Sequence, residues 1–261
     1  DSVAEPTWLD YLTASFNDPD ITAAGGYVRG RNGISFQSKA QSVNVLGQHD
    51  PLAMSGNDPK VFEGTPDRAI KTEGTNCAFR SDVLRKLGGF DPAFRFYLDE
   101  TDVNIRLGII HAKTAIVPMA QVHHGFAPSR QRHQNRMPRT LFDVGRSLAV
   151  FLRKHAAVAD FEPTLAAFRL EQRARVLRHM VAGTCEPRDV DRVLQTLEAG
   201  IADGRDLLLT PLTQVAKQSA GFLPFKSSFT EPNSSFLSGR YFEQTRLCDS
   251  AQKLAKSGQR V

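Results

Sequence analysis

Cysteine is scarce. Only Cys77, Cys185 and Cys248 occur in 261 residues, far apart and without a C-x-x-C pair. An odd, dispersed set argues against a disulfide framework and against a zinc knuckle. Reduced, buried thiols of a cytosolic protein are the expectation. Long apolar runs are also missing, and nothing approaches the roughly 20 residues that a membrane-spanning helix requires. Asp1 to Pro6 is acidic and polar, without the basic and apolar regions of a secretory signal. There is no initiator Met, so a processed or truncated chain is expected. No internal repeat is visible.

What remains is an ordinary globular composition, 41% hydrophobic and 23% charged. The net charge of +5 is concentrated after residue 128, in Arg130, Arg132, Arg136, Arg139 and Arg146 and then in Arg169 to Arg178. A basic half can contact nucleic acid, anionic headgroups or a phosphorylated substrate. Spaced charges are more commonly a solvated helical face.

Periodicity divides the chain near residue 127. Before it the pattern is mixed. Trp8, Leu9, Leu12 and Phe16 recur at helical spacing over 5–16, and Ile21 to Val28 reads as a buried strand. Residues 29–68 are polar and Gly-rich, a long functional loop with irregular short strands. Ala69 to Arg80 alternates. Ser81 is placed to cap a helix over 82–87 that Gly88-Gly89 ends in a left-handed turn. A helix is expected over 99–111, then short strands at 114–118 and 120–124. After the boundary the pattern is helical, over about 140–156, 163–182 and 187–202. The last 50 residues, rich in Pro, Gly, Ser and Phe, read as irregular.

Chemistry concentrates in four segments: Gly74-Thr75-Asn76, Gly88-Gly89-Phe90-Asp91, Asp99-Glu100-Thr101-Asp102 with Arg106, and Val122-His123-His124. Acids at a helix start are stabilised by free N–H groups and the dipole, so any one of them is explained by capping. Three within four residues exceed that need. Their repulsion should raise at least one pKa, as a general base requires. Asp102 and Arg106 are four apart and can pair, which leaves Asp99 or Glu100 free to face a pocket. Either histidine can ligate a divalent metal or hydrogen-bond a diphosphate, and Gly74 and Asn76 suggest a turn where the backbone approaches a ligand.

In order and spacing this set resembles the C-terminal catalytic half of family-2 inverting glycosyltransferases of the GT-A fold, over about residues 1–127. The resemblance implies an α/β fold, a partial GT-A domain followed by a mostly helical extension over 128–204. An irregular tail over 205–261 would begin a second domain. Glu100 takes the position of the family's catalytic base, with Asp99 as neighbour and second candidate and Asp102 beside them. The first two acids are swapped relative to the family pattern. His123, before His124, matches the histidine near metal and diphosphate. Gly74, Asn76, Phe90, Asp91 and Arg106 would shape the acceptor side. Pro6-Thr7-Trp8-Leu9 matches the helix that follows the family's D-x-D motif. That places Asp1 near the last metal-binding acid and the first acid, with the nucleotide-binding half, upstream of this chain. Mg²⁺ or Mn²⁺ is the implied cofactor.

The implied partners are a nucleotide-sugar donor and a glycan, lipid-linked or protein acceptor. The implied setting is the bacterial cytoplasm, at the inner membrane face, in polysaccharide biosynthesis. A chain cut from its donor half would be inactive alone and would leave a sheet edge uncovered. A non-catalytic scaffold of the same shape is the alternative. A nucleic-acid-binding module finds no recognisable motif, and a metal hydrolase finds no HExxH-type spacing.

Overall fold

The sheet is organised around the parallel pair β2 (Ile21–Arg29) and β9 (Lys113–His124). Both are rich in small and β-branched residues that fit a sheet covered on both sides. Alternation divides β2 between two layers. Ala24, with Ile21, Ala115 and Val117, packs with Leu12 of α1 (Trp8–Ala14), whereas Ala23 packs with Val103 and Leu107 of α3 (Asp99–Ile109). The structure, a computed structural model, describes residues 1–217, 221, 235, 237, 239, 241–259 and 261.

On the far side of β9, β1 (Ser2–Ala4) pairs with residues 122–124 and β6 (Lys60–Glu63) with residues 113–116. On the far side of β2 lie β3 (Phe36–Ser38) and β8 (Cys77–Phe79). The result is a six-stranded mixed sheet. A second, three-stranded sheet runs β5 (His49–Pro51), β4 (Gln41–Asn44), β7 (Arg68–Lys71). Residues 29–68, expected as a loop with irregular strands, contain β3 to β6. The alternating stretch 69–80 is two strands, β7 and β8, separated by a turn between Glu73 and Asn76. The two short strands expected at 114–118 and 120–124 are one strand, β9. Its register against β2 slips between Val117 and Gln121, where Pro118 can donate no ladder hydrogen bond. At that slip Gly26 is required, because a Cβ there would lie 1.7 Å from the Ala120 carbonyl oxygen.

The short helix α2 (Ser81–Lys86) begins one residue earlier than expected. Arg80 holds the capping position without a side-chain cap, so Ser81 is not the cap. Gly88 and Gly89 follow at φ +88° and +75°, the left-handed exit.

Helices α4 (Phe142–His155), α5 (Val158–Val181) and α6 (Pro187–Asp206) complete a unit that runs from Asp1 to Ala216. They do not form a core of their own. Leu148, Phe151 and Leu152 belong to one apolar cluster with Val43, Ala69, Phe94, Leu98 and Ile105 of the preceding α/β portion. Helices α4 and α6 cross closely through Gly145, Gly200 and Gly204. Arg146, 3% exposed, is held by Asp203 at 2.6 Å and by the Ala93 carbonyl at 2.5 Å.

The second unit spans Lys217 to Val261. Its described part includes a 3₁₀ turn, Tyr241–Glu243, and helix α7 (Gln244–Lys256). The irregular reading of the last 50 residues therefore fails over 244–256, while residues 222–234 lie outside the described residues. The thiols are free, but none is fully buried and Cys248 is exposed. Among the described residues no helix is long and apolar enough to cross a membrane.

Gly200→Ala tests the α4–α6 crossing. The added Cβ would fall 2.0 Å from the Phe142 carbonyl oxygen. Although Ala favours helix, we expect a loss of about 1–3 kcal/mol from overpacking, read by urea denaturation. A stabilised variant would mean that the helices do not touch there.

Candidate active site

Helix α3 starts from a strained residue. Leu98 sits at φ +65°, a conformation costly for a bulky side chain, and is 3% exposed in the main apolar cluster. Packing of that side chain holds the turn and fixes how the next four residues face.

Asp102 faces inward and is fully buried. Arg106 reaches one carboxylate oxygen at 2.7 Å, while Lys154 at 2.6 Å and His155 at 2.8 Å hold the other. Lys154 also binds Asp91 at 2.6 Å. Burial opposes ionisation of Asp102, but the His155 hydrogen bond, Arg106 and Lys154 outweigh it and hold the carboxyl at about 2. The expected Asp102–Arg106 pair is present, and α4 supplies two further partners. Arg106 also donates to the Leu87 and Gly89 carbonyls at 2.8 Å each, fixing the Gly-Gly turn.

Glu100 and Asp99 face the other way, into a cavity of about 610 Å³. Burial pushes the Glu100 carboxyl up to about 7. The adjacent Asp99 adds to the rise, and Lys71 opposes it. Lys71 is itself buried and pairs with Glu73, which also accepts from the Ser38 hydroxyl at 2.6 Å. Gly74 lies over Glu100, so a Cβ there would come to 3.6 Å from its carboxylate oxygen. The Cys77 thiol is pushed up to about 12 by burial and by Glu100, Asp99 and Glu73, so it is no nucleophile.

Asp1, His124, Phe126 and Arg132 line the same cavity. His124 approaches Asp1 at 3.3 Å and Gln37 at 3.1 Å. Burial lowers its pKa, and Arg132 adds to that, so the ring is neutral near pH 7. Asp1 accepts from Arg132 at 2.7 Å and from the Ala127 amide at 2.8 Å.

Of the residues marked from sequence, Asp99, Glu100, Gly74, Asp1 and His124 therefore share one cavity. His123 does not line it. Neighbouring strand residues point to opposite faces, and His123 meets Glu5 at 2.6 Å, so the preference for His123 over His124 is reversed. Asn76 is fully buried. It accepts from the Trp8 indole at 2.8 Å and donates to the Tyr27 and Ala120 carbonyls at 3.0 and 2.8 Å. Asp91 is held by Lys154, and Phe90 packs edge-on against Phe79 at 6.1 Å. Asn76, Phe90, Asp91, Arg106 and Asp102 thus brace the site from behind and do not line its cavity. Sequence reading missed Lys71, His49 and Tyr97 on the cavity wall. Only Glu73, directly before the Gly74-Thr75-Asn76 segment, carried a local signal.

The donor set for a divalent cation is incomplete. Among the described residues no group of three His, Cys, Asp or Glu side chains is arranged to hold one. Asp1 and His124 offer two donors, and the Arg132 cation already occupies Asp1. No reaction step is assigned through a metal here.

No family model matches the sequence, and no curated protein matches it. Among solved structures, GalNAc-T7 with UDP, GalNAc and Mn²⁺ is similar at a TM-score of 0.38 and 12% identity, over 58% of this chain and 30% of that one. At that score the likeness supports no conclusion about this chain.

Glu100 makes stability depend on pH. Folded, it keeps its proton up to about 7, whereas an ordinary glutamate releases it near 4.5. The stabilising contribution of that bound proton is complete below pH 4.5 and is lost as pH rises through 7. Glu100→Gln should therefore gain stability relative to the parent between pH 4.5 and 7 and then level off. A series of urea titrations reads this directly, and a difference flat across that window would mean an ordinary carboxylate.

Proposed function

We propose that this chain belongs to the class of enzymes that transfer a group to a hydroxyl by general-base catalysis. More particularly, we propose an inverting glycosyltransferase that uses a nucleotide-diphosphate sugar. The observation that carries this reading is Glu100. It is a carboxyl group raised to about 7, in a cavity lined also by His124, Asp1 and Arg132. A base with a pKa near working pH is suited to take a proton from an alcohol as it attacks. The four motifs, in the order and spacing of family-2 glycosyltransferases, supply the identity of the attacked group.

In this reading Glu100 takes the acceptor hydroxyl proton. The acceptor oxygen bonds to the anomeric carbon from one side, and the bond from that carbon to the diphosphate oxygen breaks on the other. The leaving diphosphate carries the electron pair. Arg132 and the neutral His124 ring stand where they can bind it. Asp99 raises the basicity of Glu100 by repulsion, and Gly74 leaves room for the acceptor beside the carboxylate. Asp102, Arg106, Asp91 and Asn76 are positioning residues. A divalent ion, Mg²⁺ or Mn²⁺, would neutralise the diphosphate, with Asp1 and His124 as two of its ligands. Residues 1–127 then correspond to the C-terminal half of a GT-A domain. A cytoplasmic setting, at the inner face of a membrane, goes with the same reading.

The test is transfer from a panel of nucleotide sugars by a version extended upstream to restore the donor half. Glu100→Gln should lower kcat by about 10² to 10⁴ while leaving donor affinity by calorimetry within about twofold. Asp102→Asn should act mainly on stability, lowering it by about 3–5 kcal/mol as the cations around it lose their counter-charge. Full turnover by Glu100→Gln would remove Glu100 as base. Donor binding without transfer by the extended version would favour a non-catalytic scaffold, a reading that the two-donor metal set also supports.

A further inference from the structure

A second cavity, of about 330 Å³, opens beside the first and shares Phe96, Tyr97, Phe126 and Arg132 with it. Its far wall comes from α4 and α5, including Val144, Phe168 and Arg175. It is therefore built by the helices that follow the α/β portion.

Its wall carries the cations Arg132 and Arg175 and one carboxylate, Glu171. Arg175 is half-buried, and its one hydrogen bond among the described residues is to the Gln172 side chain at 3.3 Å. It forms no ion pair among the described residues, and Glu171 on the same wall favours its charge only from a greater distance. Arg132 spends its charge on Asp1. Arg132 and Arg136 each stand over the Phe126 ring at 5.0 Å, and the His124 ring lies 4.3 Å from it. Phe126 and Arg136 hold that arrangement from strained backbone, at φ +49° and +68°. Burial, with Arg178 and Arg132, works against the Arg175 cation, and Glu171 and Tyr97 only partly offset this. A partly desolvated guanidinium without a paired anion is unfavourable unless a ligand supplies one.

We propose that this second cavity is an acceptor subsite for an acidic glycan, in which Arg175 binds a carboxylate or phosphate group while the neighbouring sugar ring packs against Tyr97. This deepens the glycosyl-transfer reading and rests on it for the word acceptor. The wall shared with the Glu100 cavity lets one oligosaccharide occupy both, with its anionic unit in the second cavity and its reacting hydroxyl at Glu100. Carboxylate and phosphate present the same chemistry to a guanidinium, and the subsite takes either.

The experiment uses the full chain and three matched oligosaccharides: neutral, uronate-bearing and phosphate-bearing. Binding is measured by calorimetry without donor. One or both acidic ligands should bind at least tenfold more tightly than the neutral one, and which of them does identifies the charge. The preference should weaken with added salt. Arg175→Met should abolish it and leave neutral binding unchanged. Arg175→Lys should restore part of it, which separates lost charge from lost folding. Equal affinity for neutral and acidic ligands, or a preference that survives Arg175→Met, overturns the subsite. Glu100→Gln should keep the preference in full. If acidic ligands bind through Arg175 but a version extended upstream transfers no donor sugar, the subsite stands and the glycosyl-transfer reading falls.

Discussion

The carboxylate of Asp102 is wholly withdrawn from water and shared among Arg106, Lys154 and His155. A buried charge of this kind is tolerable only when its lone pairs are filled. Here filling them needs the helix that carries Asp102 and a second helix about fifty residues later. Lys154 extends the network to Asp91, and Arg106 extends it to the carbonyls of the Gly-Gly turn. One ion cluster thus fixes the rotation of α3, the loop before it and the docking of α4. With α3 held in that rotation, Glu100 and Asp99 turn toward the cavity. Arg146 repeats the device one layer out, tying α4 to α6 through Asp203 and to the α/β portion through Ala93.

A second clasp sets the opposite side. The Asn76 side chain bridges the Trp8 indole and the carbonyls of Tyr27 and Ala120, and so joins α1, β2 and β9 where their register slips. Each buried polar atom there has a partner, and the absent Gly26 side chain leaves room for the crossing. The slip matters to the site because β9 then runs on to His124, at the cavity. The helices after residue 127 are part of this construction. They hold Asp102 from behind, and α4 and α5 wall the second cavity.

The element types were legible where local chemistry decides them. The 99–109 helix announces itself by its acids, because free N–H groups favour them at a helix start whatever surrounds the helix. The Asp102–Arg106 pair follows from helical spacing alone. The Gly88-Gly89 exit follows from the left-handed backbone that glycine tolerates. Orientation was not legible in the same way. Three acids at one helix start look alike in sequence. Only the later Lys154 and His155 show that one is internal and the others face a cavity. Asn76 and Asp91 were marked for the right neighbourhood, but a buried polar side chain and a ligand-facing one have the same letter.

By itself the sequence determined the helices around the site and the acidic start of α3, because hydrophobic period, glycine turns and helix-end electrostatics act within a few residues. Only the tertiary structure decided which histidine joins the carboxylates. That choice depends on which face of β9 looks toward α3, and pairing with β1 and β2 fixes the face. The raised pKa of Glu100 and the half-buried Arg175 without an ion pair were likewise decided by burial, which is a property of everything packed around a residue.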